Sequence, residues 1–159
     1  YFSQIDIYLH LVGGWVGGNP VTEVMQDDIE SMLKQHLWST FFITKAILPN
    51  MLQNGWGRII VISSPSAYHP PGKNSPYAIA KAAQDALILS LAEEVKGTGV
   101  TANIIPVKII DTEHEKVKNP NKKNQSWTTP EEITNTILHL CSDQAGIING
   151  VRIPLTGSG

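Results

Sequence analysis

Two side chains in the middle of the sequence have types and spacing suited to proton transfer. Tyr77 and Lys81 stand four residues apart, in a segment that opens on Ser75-Pro76 and runs to about Lys96 before Gly97 and Gly99. Serine as N-cap, proline in the first turn and glycine beyond the end are the marks of a helix. On a helix, residues four apart share one face with Cβ atoms ~5–6 Å apart. A phenol with an ordinary pKa of ~10 exchanges protons poorly at neutral pH unless a nearby cation favours its phenolate, and Lys81 is such a cation. A lone Tyr-x-x-x-Lys carries little weight, because short motifs need structural context. Here the context is a preceding β-branched run, Arg58 to Ile62, bounded by Gly55 and Gly57 and followed by Ser63, Ser64 and Pro65. That run reads as a strand, and ligand sites in open parallel sheets lie at such strand ends.

The elements that must position these residues alternate in type. Ile5 to Val12 reads as a buried strand closed by Gly13 and Gly14. A helical pattern follows in which Ile29, Leu33, Leu37, Phe41, Leu48 and Met51 recur, with Asp27 and Glu30 as a cap pair and Pro49 expected to kink or end it. Val100 to Ile105 is a third strand, residues 106 to 128 are polar and irregular, and Thr129-Pro130-Glu131-Glu132 forms a capping box for a helix to about Ser142. Val151 to Leu155 reads as a last strand. Strands alternating with helices imply right-handed crossovers and a parallel sheet covered on both faces. No internal repeat or interdomain linker interrupts this order.

Composition narrows the class. The chain has 159 residues, 42% hydrophobic and 16% charged, ordinary for one globular domain. A net charge of -2 offers no positive excess for phosphates, so nucleic acid is not an expected partner. The cluster Lys116, Lys118, Lys122 and Lys123 reads as a solvated loop. Cys141 is the only cysteine, which rules out an intrachain disulfide and suggests a reducing, cytoplasmic setting. The apolar runs are too short to span a bilayer, so no membrane partner is expected. The chain opens on Tyr1 and enters a strand-like run almost at once, which suggests a missing upstream part.

The run Arg58-Ile59-Ile60-Val61-Ile62-Ser63-Ser64, followed by Tyr77-Ala78-Ile79-Ala80-Lys81 with Ser64 thirteen positions before the tyrosine, resembles the short-chain dehydrogenase/reductase family. Asn103-Ile104-Ile105-Pro106 is similar to the strand end beside the nicotinamide, and Gly150 to Gly159 to the family's closing strand and tail. The resemblance covers essentially the whole chain. It implies a Rossmann-like α/β parallel sheet of which residues 1–159 form the C-terminal part, about four strands with flanking helices, the nucleotide-binding strands being absent. It also implies NAD or NADP as cofactor, a small-molecule carbonyl or alcohol substrate, and a homodimer or homotetramer. In that chemistry Tyr77 is the general acid in reduction and the base in oxidation, Ser64 bonds the substrate oxygen, and Lys81 holds the nicotinamide ribose. The cofactor-contacting positions would be Val12, Gly13, Tyr77, Lys81, Pro106, Val107, Ile109 and Thr112.

A narrower likeness, to the dihydropteridine reductase-like branch, rests on Val12 to Asn19, Lys34 to Ser39, Pro106 to Thr112, Pro120 and Trp127-Thr128. That branch typically lacks the catalytic serine, yet Ser64 is present. Other positions depart from the family as well. Its Asn-Asn-Ala-Gly reads His10-Leu11-Val12-Gly13, its helix asparagine falls at His36, its Pro-Gly reads Pro106-Val107, and Thr112 sits one residue late. His36 has two readings, a proton relay or a partly buried residue bonded to a backbone carbonyl. The altered position keeps a second class open, a non-catalytic binding or assembly module. Gly13 to Gly18 has phosphate-loop glycine spacing, but Asn19-Pro20 replaces the required Lys and Ser or Thr, so a tight turn is expected. His10, His36, His69, His114 and His139 show no paired ligand spacing, so no metal is expected. Trp15 and Trp127 read as packing aromatics or as pocket walls.

Overall fold

The computed structural model describes residues 4–156, so the ends of the expected closing tail, residues 157–159, lie outside it. Three parallel strands form one sheet in the order β1-β2-β3: β1 (Ile7–His10), β2 (Gly57–Ser63) and β3 (Val100–Pro106). The helices are α1 (Gln26–Leu33), α2 (Ser39–Asn54), α3 (Ser75–Glu94), α4 (Glu115–Lys118) and α5 (Pro130–Cys141). This is the α/β parallel architecture expected from the alternation of elements, part of a Rossmann-like fold.

Side chains alternate across each strand, so β2 feeds two cores. Ile59 and Val61 pack with Ile47 and Met51 of α2, Ile88 and Leu91 of α3, and Ile104 of β3. Ile60 faces the other way, with Ile105, Val107, and Ile133 and Leu140 of α5. The near-continuous apolar run of β2 from Ile59 to Ile62 follows from burial on both faces, and β3, buried throughout, also takes in Thr101 and Asn103. On β1, Tyr8 packs against the first core and His10 is buried, while Ile7 and Leu9 on the opposite side stay exposed. At the rear of the sheet Arg58 is buried, donating to the carbonyls of Gly57, Gly99 and Ser142, with Trp56 under its guanidinium at 4.3 Å.

Several expectations are corrected. The last strand is not continuous: residues 150–155 run beside β3 through isolated bridges, Ile104 with Arg152 and Val107 with Leu155. The register of β1 ends with His10 opposite Val61, so Leu11 and Val12 have no strand partner and leave the sheet. Pro49 does not end its helix, since α2 continues to Asn54 and stops at Gly55, whose φ of 65° is the left-handed cap glycine favours. The cap of α1 is not the Asp27 and Glu30 pair; the Met25 N–H donates to the Asp28 carboxylate at 3.2 Å. Asn74 rather than Ser75 caps α3, and the buried Ser75 hydroxyl has no partner among the described residues. The irregular stretch holds one short helix, α4, whose first amides donate to the Asp111 carboxylate at 2.8 and 2.9 Å. The Thr129 capping box is present, with the Thr129 N–H on Glu132 at 2.8 Å and the Glu132 N–H on Thr129 Oγ1 at 3.3 Å.

Between α1 and α2 the chain makes a π turn, Lys34–Trp38, in which the Ser39 N–H reaches back five residues to the Lys34 carbonyl. Periodicity alone does not announce such a turn, and π turns concentrate at functional sites.

Candidate active site

Ser64 follows the last residue of β2 in extended conformation, and its Oγ accepts the Ser66 N–H at 3.2 Å, opening a 3-10 turn over Pro65–Ala67. Tyr77 and Lys81 project from the first turns of α3, which crosses the sheet beside that strand end. The glycine loop after β1 closes over the start of α3. Trp15 Nε1 donates to Asn74 Oδ1 at 2.9 Å, Asn74 donates to Ser66 Oγ at 3.2 Å, and the Gly18 N–H reaches the Lys73 carbonyl at 2.6 Å. The expected tight turn is not formed: residues 11–18 run without regular structure, anchored to the start of α3 by these bonds. Trp15 itself is 61% exposed and is not a core aromatic.

Lys81 is buried, 4% exposed, and lies with its ammonium 6.0 Å from the centre of the Tyr77 ring. It donates to the Ile62 carbonyl at 2.8 Å and to Gln84 Oε1 at 3.0 Å. An ammonium has three donors, so one N–H has no bond among the described residues. Burial pulls the Lys81 pKa down to about 8, against the opposing pull of the Asp85 carboxylate. Burial likewise raises the Tyr77 phenol above its ordinary value, and the neighbouring Ser64 hydroxyl draws it partly back. At neutral pH the pair is thus a protonated phenol beside a protonated amine, poised to give a proton.

Two buried histidines complete the surroundings. His36 Nε2 lies 3.1 Å from the Gly14 carbonyl, which matches the backbone-bonded reading, and its ring meets Tyr77 edge-on. His10 Nδ1 bonds the Tyr8 hydroxyl at 2.8 Å. His36 Nδ1 and His10 Nε2 are buried without a partner among the described residues. Both rings are pushed to about 4, first by burial and then by the Lys81 charge, so both are neutral at physiological pH. Neutral imidazoles keep a donor and an acceptor, and neither competes with Lys81 for positive charge.

Of the remaining residues expected to hold a cofactor, Val12 and Gly13 are exposed in the loop beyond β1, and Pro106 ends β3. Val107 packs its side chain into the core under α5 and gives its N–H to the Ser63 carbonyl at 2.9 Å. Ile109 is exposed, as is Thr112, which lies beyond the bridge of Ile110 with Thr128. The structure thus gathers Val12, Gly13, Ser64, Tyr77, Lys81 and Pro106 at the C-terminal ends of the strands and sets Thr112 further out. Sequence spacing had missed Gln84 and Thr40. The one available signal was a polar residue, Gln84, one turn after Lys81 on a helix whose other buried residues are largely apolar.

A strand end carrying a hydroxyl, with a tyrosine and a buried lysine one helical turn apart beside it, forms the candidate site on this parallel sheet. The family described as enoyl-(acyl carrier protein) reductase matches residues 1–157, and this chain belongs to the short-chain dehydrogenase/reductase family. The chain is 32% identical over 138 residues to the 3-oxoacyl-(acyl-carrier-protein) reductase of Aquifex aeolicus, covering 82% of this chain and 56% of that protein. It is 29% identical over 136 residues to the acetoacetyl-CoA reductase of Allochromatium vinosum, covering 80% and 55%. It is also 28% identical over 145 residues to dehydrogenase/reductase SDR family member 4 of Bos taurus, covering 85% and 52%. The chain therefore spans about half the length of the curated relatives it matches. Its family is one of oxidoreductases that use a nicotinamide cofactor. No helix among the described residues is long and apolar enough to cross a membrane.

Proposed function

We propose that this chain carries the catalytic end of an oxidoreductase that passes hydride between NAD or NADP and a carbonyl or alcohol. The observation that carries the reading is the convergence of Ser64, Tyr77 and the buried Lys81 at one end of the sheet. Tyr77 gives its proton to the carbonyl oxygen in reduction and takes it back in oxidation, while Ser64 hydrogen-bonds that oxygen and orients it. Lys81 keeps a positive charge beside the phenol, which lowers the cost of the phenolate left behind. When bound, the nicotinamide nucleotide supplies or accepts the hydride. The residues fit its nicotinamide end: Lys81 has an N–H without a partner among the described residues for a ribose hydroxyl, Gly13 has no side chain to obstruct it, and Val12, Tyr77 and Pro106 stand at the same strand ends, while Val107, Ile109 and Thr112 would contact it only through backbone or from further out.

The first substrates to try are short 3-oxoacyl thioesters, on the names of two relatives; a dihydropterin is the second, on the likeness of the loop at Val12 to Asn19. The protein works as a homodimer or homotetramer in the cytoplasm. The chain by itself, as the C-terminal part of one Rossmann-like domain, grips only the nicotinamide end. The test is ketone reduction by the full-length protein with NADH and NADPH. Tyr77→Phe is expected to lower turnover on the order of 10²–10⁴-fold while leaving cofactor affinity nearly intact. Near-normal turnover by that variant would remove Tyr77 from the mechanism.

A further inference from the structure

Lys81 is held by more than its own helix. Gln84, wholly buried, accepts the ammonium N–H on Oε1 at 3.0 Å. Its Nε2 donates to the His36 carbonyl at 3.2 Å and to Thr40 Oγ1 at 2.8 Å. The Thr40 hydroxyl in turn donates to the same His36 carbonyl at 2.6 Å. The circuit joins α3 to the π turn at Lys34–Trp38, the segment in which His36 sits.

The chemistry of the partners allows one arrangement only. An ammonium donates and never accepts, and a carbonyl accepts and never donates. A side chain between them must present an acceptor on one side and a donor on the other, which a primary amide does. The amide orientation is thereby fixed: turning it over would set two donors face to face at Lys81 and two acceptors at His36. A carboxylate lacks the donor, an alkyl group lacks both, and asparagine is a methylene too short. Because every group in the circuit is buried, a missing partner is costly.

We propose that Gln84 is a positioning residue, which fixes the Lys81 ammonium beside Tyr77 by tying it to the carbonyl of His36 in the π turn. The proposal rests on Tyr77 and Lys81 being the proton-handling pair. Gln84 touches neither substrate nor cofactor and acts through Lys81. His36 thereby serves the site twice, its ring against Tyr77 and its carbonyl, through Gln84, on Lys81.

The test is a titration of Lys81 by nuclear magnetic resonance in protein labelled at its lysine side chains, with Lys81→Met to assign the signal. The groups facing the ammonium are Tyr77 and Asp85 from α3, His36 from the π turn and His10 from β1, and none of them is altered in the variants. The wild-type midpoint is expected at about 8. Gln84→Leu removes an acceptor from the ammonium and should weaken its proton affinity about tenfold. Gln84→Glu keeps the shape, adds negative charge, and should strengthen it. A structural role alone would not move the midpoint in opposite directions. Unchanged midpoints, or shifts of the same sign, overturn the proposal, and if Gln84→Leu does not fold, the shift in the near-isosteric Gln84→Glu decides. Opposite shifts in a protein without reductase activity would uphold Gln84 and defeat the proposed function; unchanged midpoints in an active one would do the reverse.

Discussion

The His36 imidazole and the Tyr77 ring meet in a T-shaped contact, with ring centroids 5.6 Å apart and planes crossing at 81°. The other side of the same imidazole presses on the glycine loop. A Cβ placed on Gly13 would come within 2.8 Å of His36 Nδ1 and closer still to Cε1. Gly13 is thus required by close approach, not by backbone dihedral.

Gly13→Ala should destabilise the fold by ~1–3 kcal/mol, the usual cost of forcing an extra carbon into packed space. In a His36→Ala background most of that cost should vanish, because the clashing ring is gone. Urea unfolding of the two single variants and the double variant measures the coupling, and strict additivity would show that the ring and the loop do not touch.

Acid should weaken the fold through His10 and His36. Both have folded pKa values of about 4 against an ordinary 6.5, so between those values the unfolded chain takes up protons that the folded one refuses. Stability is therefore full above about pH 6.5 and falls as pH drops toward 4. After allowing for solvent reaching the rings, the loss is on the order of 1 kcal/mol per histidine. Melting temperatures at pH 7 and pH 5 should differ less in His36→Asn than in the wild type, and an equal difference would remove His36 as a source.

Self-association should run through the outer faces of α2 and α3. Trp38 stacks on Phe42 with centroids 5.8 Å apart, both are exposed, and exposed Ile43, Ile79, Ala82 and Ala86 lie on the same pair of helices. Apolar surface of this kind marks interaction sites. Sedimentation at micromolar concentration should show a dimer or tetramer, with Phe42→Glu weakening association at least tenfold. A wild-type monomer would rule the interface out.

Cofactor affinity of the 159-residue chain alone should be poor. Its sequence holds no Gly-x-Gly-x-x-Gly turn to seat a pyrophosphate on a helix N-terminus. Calorimetric titration with NAD and NADP should show no saturable binding below millimolar concentration. Micromolar binding would reveal a different nucleotide site within these residues.

Much of this was legible in the sequence where the determinants are local. The Thr129 capping box and the bounds of β2, β3 and α3 were readable to within a residue or two, because caps, glycines and β-branched runs act over short spans. Local spacing also put Tyr77 and Lys81 on one helix and Ser64 at the strand end before it, which is where the structure has them. The ends of β1 were not, since pairing with Val61 and its neighbours sets them. Nor was the survival of α2 through Pro49, a tertiary outcome. The Gln84 circuit was out of reach because its partners, Thr40 in α2 and His36 in the π turn, lie 44 and 48 residues away.

Ser63 and Ser64 are chemically identical neighbours with different fates. Ser63 shares the parity of Ile59 and Val61, so its hydroxyl turns inward and donates to the buried Asp85 at 2.6 Å, a carboxylate that Arg152 also holds at 2.9 Å. Ser64, one step out of phase, is left to face Tyr77. The odd and even count of the pleat separates the two hydroxyls. Deleting a single residue between Ile59 and Ile62 would deliver Ser64 to Asp85 and bring Pro65, which has no hydroxyl, to the place beside Tyr77. The sheet would still pair, and under the proposed function the lesion would be chemical silence in a folded protein.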